Sequence, residues 1–284
     1  MYGTGPQPID GGIAHDPART AEDDGLRSAH IRNLVQRHAL STSRLRAPQI
    51  PRVIVQFWDD PFRLPSDVRE CIDSWQPLAR SGFERVLFDD ARARRFISKV
   101  FGWPFVAAFD RCHHPAMRCD YFRLCFLFAR GGFYVDADER YLGVSCEKLF
   151  LNNLLKVQPL CYDLATDSMV PTRVFRRERG YSPNWIFYVN NSPLVAPPLH
   201  PVIELALARS TRILLTDSEY PDIQSTTGPG NLTASLVRHS IARQGAGKDR
   251  DFALLDDWES ISLSQWPLSY RDDARNWRLW KPSE

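Results

Sequence analysis

Eight consecutive residues restrict the fold of this chain more than any others: Gly131-Gly132-Phe133-Tyr134-Val135-Asp136-Ala137-Asp138. The paired glycines are typical of a helix end, and the apolar residues after them predict a short buried strand. If that strand continues through both aspartates, their side chains share one face of it. Two carboxylates on one face repel each other unless a cation lies between them, and oxygen ligands suit a hard divalent ion. The run therefore predicts a metal site at the end of a buried strand.

The elements around this run alternate between strand and helix. Apolar, β-branched runs predict strands at residues 53–58 and 83–88, and a shorter one follows the glycine pair. Helical spacing of apolar residues predicts helices at 66–75 (with Ser66 or Asp67 as the N-cap), 91–100 and, most clearly, 115–130. This alternation favours an α/β fold with a mostly parallel central sheet flanked by helices. Ligands of such sheets bind beyond the carboxyl ends of the strands, where Asp136 and Asp138 lie.

The second half of the sequence is less regular. It predicts a strand at residues 185–189 and helices at 201–215 and 232–242. Residues 1–48 differ in composition from the rest, being rich in Gly, Pro, Asp and Arg at the start, and we expect a flexible tail there. Within that tail, residues 30–45 suit a short amphipathic helix. A single folded domain is expected over residues 49–284.

Composition excludes several classes of function. The formal net charge is +2 over 284 residues, so no overall field favours nucleic acid as a partner. No apolar run is long enough to span a bilayer, and the first 13 residues lack the pattern of a secretion signal, so a cytoplasmic protein is expected. The six cysteines contain no Cys-x-x-Cys pair and are interpreted as reduced core residues.

Asp120 and Arg123 are three positions apart on the predicted helix 115–130 and are therefore neighbours on one face. Because that helix is otherwise strongly apolar, both charges need partners. One interpretation is an internal ion pair of Asp120 with Arg123 or Arg118. The other is a ligand site, in which Asp120 accepts hydrogen bonds from sugar hydroxyls and Arg123 meets a phosphate or hydroxyl.

The order of these segments resembles the glycosyltransferases with a DXD sugar-binding region, family 32. That family includes initiating α-1,6-mannosyltransferases of yeast and capsular-polysaccharide synthesis proteins of bacteria. The resemblance covers about residues 50–143, with weaker similarity at 190–201 and 227–229. It is carried by five segments in this order: Ile50-Pro51-Arg52-Val53-Ile54-Val55-Gln56-Phe57-Trp58, Ser74-Trp75, Phe88-Asp89-Asp90, Arg118-Cys119-Asp120-Tyr121-Phe122-Arg123 and the glycine–aspartate run at 131–138.

The resemblance implies a GT-A type nucleotide-diphospho-sugar transferase fold. It also implies transfer of a sugar from a UDP- or GDP-linked donor to a glycan or other hydroxyl acceptor, with retention of anomeric configuration, as in polysaccharide or glycoconjugate synthesis. By position, Asp136 and Asp138 would be the catalytic pair that holds Mn²⁺ or Mg²⁺ and, through it, the donor diphosphate. Asp120 and Arg123 would hold the donor sugar. Gln56 and Trp58 would lie near the nucleotide base.

Other positions keep two interpretations each. Trp58 either stacks on the base or belongs to the core. Asn190 and Asn191, expected at the end of a strand, either bond to sugar hydroxyls or form a turn. Gly228 lies in the segment 226–230, which is either a loop facing phosphate or acceptor, or a plain turn before a helix.

The chain departs from the family pattern in two places. Many members carry a His near the end that reaches the metal or diphosphate, whereas the comparable stretch here, residues 270–277, has none. Arg271 or Arg275 is a candidate phosphate contact there, although a surface ion pair is the favoured interpretation. The first strand has Val55 where a His is common. An alternative function is thus a catalytically weakened relative that binds a nucleotide sugar or glycan. A metal-dependent phosphohydrolase is disfavoured by the Gly-Gly prefix and by the helix carrying Asp120 and Arg123.

Overall fold

The computed structural model describes residues 16–37, 48–177, 181–216 and 221–279. The helices in these ranges are α1 (Pro17–Glu22), α2 (Asp24–Gln36), α3 (Ser66–Ser74), α4 (Asp90–Phe101), α5 (Trp103–Asp110), α6 (Pro115–Arg130), α7 (Thr172–Phe175), α8 (Pro201–Thr216), α9 (Ile223–Thr226) and α10 (Pro229–Gly245). The strands are β1 (Val53–Phe57), β2 (Glu84–Phe88), β3 (Gly132–Tyr134), β4 (Glu139–Tyr141), β5 (Leu155–Asp163), β6 (Ser168–Val170), β7 (Trp185–Ala196), β8 (Phe252–Leu254) and β9 (Ser262–Ser264).

The central sheet has the strand order β2-β1-β3-β7-β5-β6, and β8 also pairs with β5. The pairs β1–β2, β1–β3 and β5–β8 are parallel, whereas β3–β7, β5–β7 and β5–β6 are antiparallel. It follows that β1, β2, β3, β5 and β8 run in one direction and that only β6 and β7 oppose them. The predicted α/β fold with a mostly parallel sheet is confirmed.

Both faces of the sheet are covered. Val55 and Phe57 of β1 enter a large core with residues of α2, α4, α6, α8 and α10. Ile54, which points to the opposite face, packs in a second core with Trp75 after α3 and Trp258 near β9. The alternation of β1 side chains between two cores explains why its sequence is continuously apolar. It also places the carboxyl end of β1 between the two layers.

The predicted elements nearest the site are confirmed with small changes in length. Helix α6 has the predicted bounds, and it ends at Gly131, whose φ of +66° suits glycine. A Cβ atom at Gly131 would lie 2.7 Å from the Pro198 ring, so close packing also requires glycine there. The N-cap of α3 is Pro65, not Ser66 or Asp67 as predicted. Strand β3 ends at Tyr134, so the face-sharing argument does not apply to Asp136 and Asp138.

The prediction of a flexible tail over residues 1–48 is wrong for residues 16–37. These residues form α1 and α2, and Ile31 on α2 is fully buried in the large core. Ser28 accepts a hydrogen bond from the backbone N–H of Phe187 on β7, at 2.9 Å. The helix predicted at 30–45 begins earlier, at Asp24, because Asp23 caps it by accepting from the N–H of Leu26. Residues 1–15 and 38–47 lie outside the described ranges.

The six cysteines fall within the described ranges, and none forms a disulfide. Five are buried and Cys119 is half-buried, which confirms their interpretation as mostly core residues. None of the helices in the described ranges has the length and apolar character that crossing a membrane requires.

Candidate active site

A cavity of about 1380 Å³ opens beyond the carboxyl ends of β1 and β3. The structure brings eight of the nine predicted site residues to its walls: Trp58, Asp120, Arg123, Asp136, Asp138, Asn190, Asn191 and Gly228. The ninth, Gln56, is buried behind the wall. Its side chain donates a long hydrogen bond, 3.4 Å, to the carbonyl oxygen of Asp136, so it supports the site and does not face the cavity.

The backbone of Asp136 is held from several sides. Val135 continues the parallel pairing of β3 with β1 by donating to the carbonyl of Val55, at 3.2 Å. The N–H of Asp136 itself donates to Ser192 Oγ, at 2.9 Å. On its carboxylate, Oδ1 accepts from Arg123 at 2.8 Å and from the Tyr134 hydroxyl at 3.1 Å. Among the described residues, none donates a hydrogen bond to Oδ2, and the side chain is 34% exposed to the cavity.

Arg123 is the central cation of the site. Its Nη2 atom lies 2.8 Å from Asp136 and 2.9 Å from Asp120, and Nη1 donates to the carbonyl of Asn191 at 2.6 Å. Burial alone would lower the pKa of Arg123, but the nearby charges, foremost Asp136, outweigh it and raise the pKa. Of the two predicted roles, the structure shows the internal ion pair with Asp120 and extends it to Asp136. Arg118 pairs elsewhere, with Asp90.

Asp120 lies on α6 at the side of the cavity and is almost fully buried. Its carboxyl accepts from Asn191 Nδ2 at 2.9 Å and from Thr227 Oγ1 at 3.4 Å. Burial raises the pKa of Asp120 to about 6, against the opposing effect of the Arg123 charge. A carboxyl group in this state can accept or donate hydrogen bonds near neutral pH.

Asp138 lies on the turn between β3 and β4, and its side chain is 14% exposed. Its carboxylate accepts from the Tyr270 hydroxyl at 2.8 Å and forms an ion pair with Arg271. Burial, and then the charge of Asp136, raises the pKa of Asp138, while Arg271 acts in the opposite direction. The charge of Asp136 thus reaches Asp138 along the cavity wall.

Tyr270 is a site residue that sequence reasoning missed, and Arg271 is one whose predicted phosphate contact was the less favoured of two interpretations. A surface ion pair was the favoured interpretation for Arg271, and this is wrong, because its side chain is 15% exposed and is paired with a candidate metal ligand. Their segment follows β9 and returns to the cavity, where the N–H of Gln265 donates to the carbonyl of Asp138. The available signal was the correspondence of residues 270–277 to the segment in which the family that the sequence resembles carries a His.

Trp58 forms a wall of the cavity next to this segment. Its ring meets Tyr270 edge-on at 5.4 Å, and the Arg275 guanidinium lies 5.4 Å from its centre. The ring is buried, yet its Nε1–H finds no acceptor among the described residues. Trp58 thus has core contacts on one side and an unused donor within a cavity wall.

We predicted that Asn190 and Asn191 lie at the end of a strand. This is wrong, because both lie inside β7. Between the pairs Val189–Pro159 and Leu194–Val157, residues 190–193 of β7 stand opposite Gln158 alone, so β7 bulges there. At the bulge, Asn191 Nδ2 donates to the carboxyl group of Asp120, and Asn190 Nδ2 donates to Gln158 Oε1 at 3.2 Å. The polar, turn-like sequence therefore marks an irregularity inside a long strand.

Gly228 is the N-cap of α10, two residues after the end of α9. A Cβ atom there would lie 3.0 Å from Gln224 Cα, so tight packing of the two helices accounts for the glycine. The same residue lines the cavity. The interpretation as a turn before a helix is confirmed, and the interpretation as a loop facing phosphate or acceptor stays a prediction.

The acidic residues of this site fit a divalent ion that is shared with a phosphate ligand. Within the described ranges, no group of three or more His, Cys, Asp or Glu side chains could enclose a metal by itself. Mg²⁺ and similar ions commonly use one or two protein carboxylates, with phosphate oxygens and water supplying the rest. Asp136 and Asp138 match that pattern, and the partly exposed carboxylate of Asp136 keeps Oδ2 without a donor among the described residues.

Comparison with known proteins gives limited similarity. No family model matches the chain. A curated relative, an uncharacterized glycosyltransferase (L373) of Acanthamoeba polyphaga mimivirus, is 28% identical over 90 residues. The match covers 31% of this chain and 36% of the relative's own length. Among solved structures, the PaToxG glycosyltransferase is 14% identical, with a TM-score of 0.46 over 93% of this chain and 95% of that one.

Proposed function

We propose that this chain is a metal-dependent, retaining glycosyltransferase of the GT-A type. It moves a sugar from a UDP- or GDP-linked donor to a hydroxyl of a glycan or other acceptor, in polysaccharide or glycoconjugate synthesis. The observation that carries the proposal is the placement of Asp136 and Asp138 beyond β3, at the wall of a large cavity beside Asp120 and Arg123. The description of the curated relative as a glycosyltransferase supports the reaction class.

Each residue has a role that follows from its contacts. Asp136 and Asp138 would hold Mn²⁺ or Mg²⁺, which stabilises the negative charge that develops on the departing nucleoside diphosphate. Asp120, oriented by Asn191, is placed to bond to hydroxyls of the donor sugar. Arg123 keeps both carboxyl groups, Asp120 and Asp136, in fixed positions. Trp58, at the cavity wall, offers its ring to the nucleotide base.

Retention is expected to proceed on the front face of the sugar. A covalent intermediate needs a carboxylate free to attack the anomeric carbon, and the carboxyl group that we assign to the sugar, Asp120, is engaged by Arg123 and Asn191. The leaving phosphate itself then helps to deprotonate the acceptor hydroxyl. Mass spectrometry of enzyme trapped with a slow donor tests this step, and a sugar adduct on any carboxylate would overturn it.

Thermal shift with UDP- and GDP-sugars, with and without Mn²⁺, tests the proposal. We expect a metal-dependent stabilisation that Asp138→Ala abolishes and that Asp73→Ala, an exposed acid on α3, leaves intact. Absence of any shift at high ligand concentration would contradict the proposal. Donor hydrolysis and product masses then identify the sugar. Binding without turnover would indicate the catalytically weakened relative instead.

A further inference from the structure

Arg271 has an unusual environment for a cation. Its guanidinium forms an ion pair with Asp138 and lies 4.3 Å from the centre of the Trp266 ring and 5.1 Å from that of Tyr270. The Nε atom is buried and has no acceptor among the described residues. Two aromatic rings thus hold a guanidinium at the cavity wall with part of its hydrogen-bonding capacity unused.

The two arginines of the site are held very differently. Arg123 is 4% exposed, lies on α6 and has three oxygen partners, from Asp120, Asp136 and Asn191. Arg271 lies in a single 3-10 turn (Ser269–Asp272) after β9, and Asp138 is the only carboxylate with which it pairs in the described part of the chain. Moving Arg123 would leave two carboxylates without their cation, whereas moving Arg271 releases one.

The two carboxylates proposed to hold the metal are each paired with a guanidinium group, Asp136 with Arg123 and Asp138 with Arg271. A divalent cation that uses both Asp136 and Asp138 brings two further positive charges to the same oxygens. Arg271 and the metal would then repel each other, and Asp138 has limited room because its side chain is 14% exposed. Of the two arginines, Arg271 has fewer partners to lose.

We propose that Arg271 is an exchangeable cation: it leaves Asp138 when the metal binds and then contacts the diphosphate of the donor. The inference rests on the proposed function and assigns a residue to it. A planar guanidinium matches phosphate oxygens with paired hydrogen bonds, and the Trp266 and Tyr270 rings keep the group at the wall during the exchange. Arg271 therefore competes with the metal for Asp138 while the diphosphate is absent, and it helps to bind the diphosphate once that is present.

Two binding measurements on the full chain test this, with Mn²⁺ alone and with UDP or GDP in saturating Mn²⁺. For Arg271→Gln we expect Mn²⁺ alone, followed by the spin-resonance signal of the free ion, to bind about fivefold tighter or more, because its competitor is gone. In the same variant we expect nucleoside diphosphate, followed by calorimetry, to bind about fivefold weaker or more. The two affinities thus change in opposite directions.

Arg275→Gln is the matched control for the first measurement. It removes an equal charge from the same segment, but Arg275 pairs with Asp273 and not with Asp138. An equal gain in Mn²⁺ affinity in Arg275→Gln would show a general charge effect and would overturn the proposal. Arg271→Lys, which keeps the charge but not the planar fork, should bind Mn²⁺ like wild type and nucleoside diphosphate more weakly. It replaces Arg271→Gln if that variant fails to fold.

Other outcomes separate this inference from the proposed function. If wild type binds Mn²⁺ and a nucleoside diphosphate but Arg271→Gln weakens both or changes neither, the exchange is wrong and the proposed function stands. If wild type binds neither Mn²⁺ nor UDP or GDP, the proposed function fails and the inference fails with it.

Discussion

The Nη2 atom of Arg123 lies 2.8 Å from Oδ1 of Asp136, across the helix end and strand that separate them in the chain. The same nitrogen lies 2.9 Å from Asp120. One buried guanidinium therefore joins the proposed metal ligand on the β3–β4 turn to the proposed sugar ligand on α6. The effects of substitutions at these three groups on stability should therefore not be additive.

Arg123→Met should destabilise the protein strongly, because it leaves Asp120 and Asp136 without their shared cation in a largely buried site. Breaking a buried ion pair from one side typically costs about 3–5 kcal/mol. Urea unfolding measures the loss. Arg118→Met on the same helix should cost less, because Arg118 is 22% exposed against 4% for Arg123 and pairs with one carboxylate, Asp90, instead of two. Adding Asp136→Asn to Arg123→Met should recover part of the stability. Equal costs for the two arginines would contradict the central role of Arg123.

Asp120→Asn should separate stability from activity. The pKa of Asp120 is raised by burial from 3.8 to about 6, so its contribution to stability is full below pH 3.8 and is lost as the pH rises through 6. At pH 7 the variant should therefore be as stable as wild type or more so, and near pH 3.5 the two should match. Donor kcat/KM should fall roughly 10- to 100-fold, as for loss of a charged hydrogen bond. A large loss of stability at pH 7 would contradict this.

The parts of the site that follow from sequence are those with a strong local pattern. The spacing of Met117, Tyr121, Leu124 and Phe128 specifies α6, and the glycine pair ends it, so Asp120, Arg123 and Asp136 come together through local rules. The apolar run of β1 likewise places Trp58 at the end of a buried strand. The residues within each of these elements are close in sequence, and the packing of the elements leaves few alternative arrangements.

The remaining parts depend on contacts that no local pattern records. Arg271 reaches Asp138 from 133 positions away along a segment with no regular periodicity. The bulge at 190–193 appears only in the register of β7 against β5, so the asparagines looked like a turn. Residues 16–37 were interpreted as a tail because α2 buries few apolar side chains. It also buries small polar side chains such as Ser28, which accepts a hydrogen bond from the backbone N–H of Phe187.

Glu139, which follows Asp138 and lines the cavity, should make stability depend on pH. Burial, with repulsion from Asp138 and Asp136, raises the pKa of Glu139 from 4.5 to about 8, against a hydrogen bond from Ser262. The folded state then binds more protons than the unfolded state between these values, so the free energy of unfolding falls as pH rises from 4.5 through 8.

Glu139→Gln should flatten this fall, measured by urea unfolding in the presence of a chelator. Since each pKa unit corresponds to about 1.4 kcal/mol, the variant should gain on the order of a few kcal/mol over wild type at pH 8.5 and little at pH 4.5. Glu70→Gln, at an exposed position on α3, should leave the wild-type pH profile unchanged. A parallel displacement of the Glu139→Gln profile at all pH values would point to packing and not to titration.

The two helices at residues 16–37 should contribute to global stability, since Ile31 is fully buried between α2 and the central sheet. Ile31→Ala removes buried methyl groups and leaves a cavity, which typically costs about 2–5 kcal/mol. Leu26→Ala on the same helix is the control, because Leu26 is 37% exposed and its truncation should cost about 1 kcal/mol or less. Urea unfolding monitored by tryptophan fluorescence compares the two. If Ile31→Ala costs no more than Leu26→Ala, α2 is not an integral part of the folded domain. A cost several-fold larger shows that the region taken for a tail shares the core that supports β7 and its bulge at the cavity.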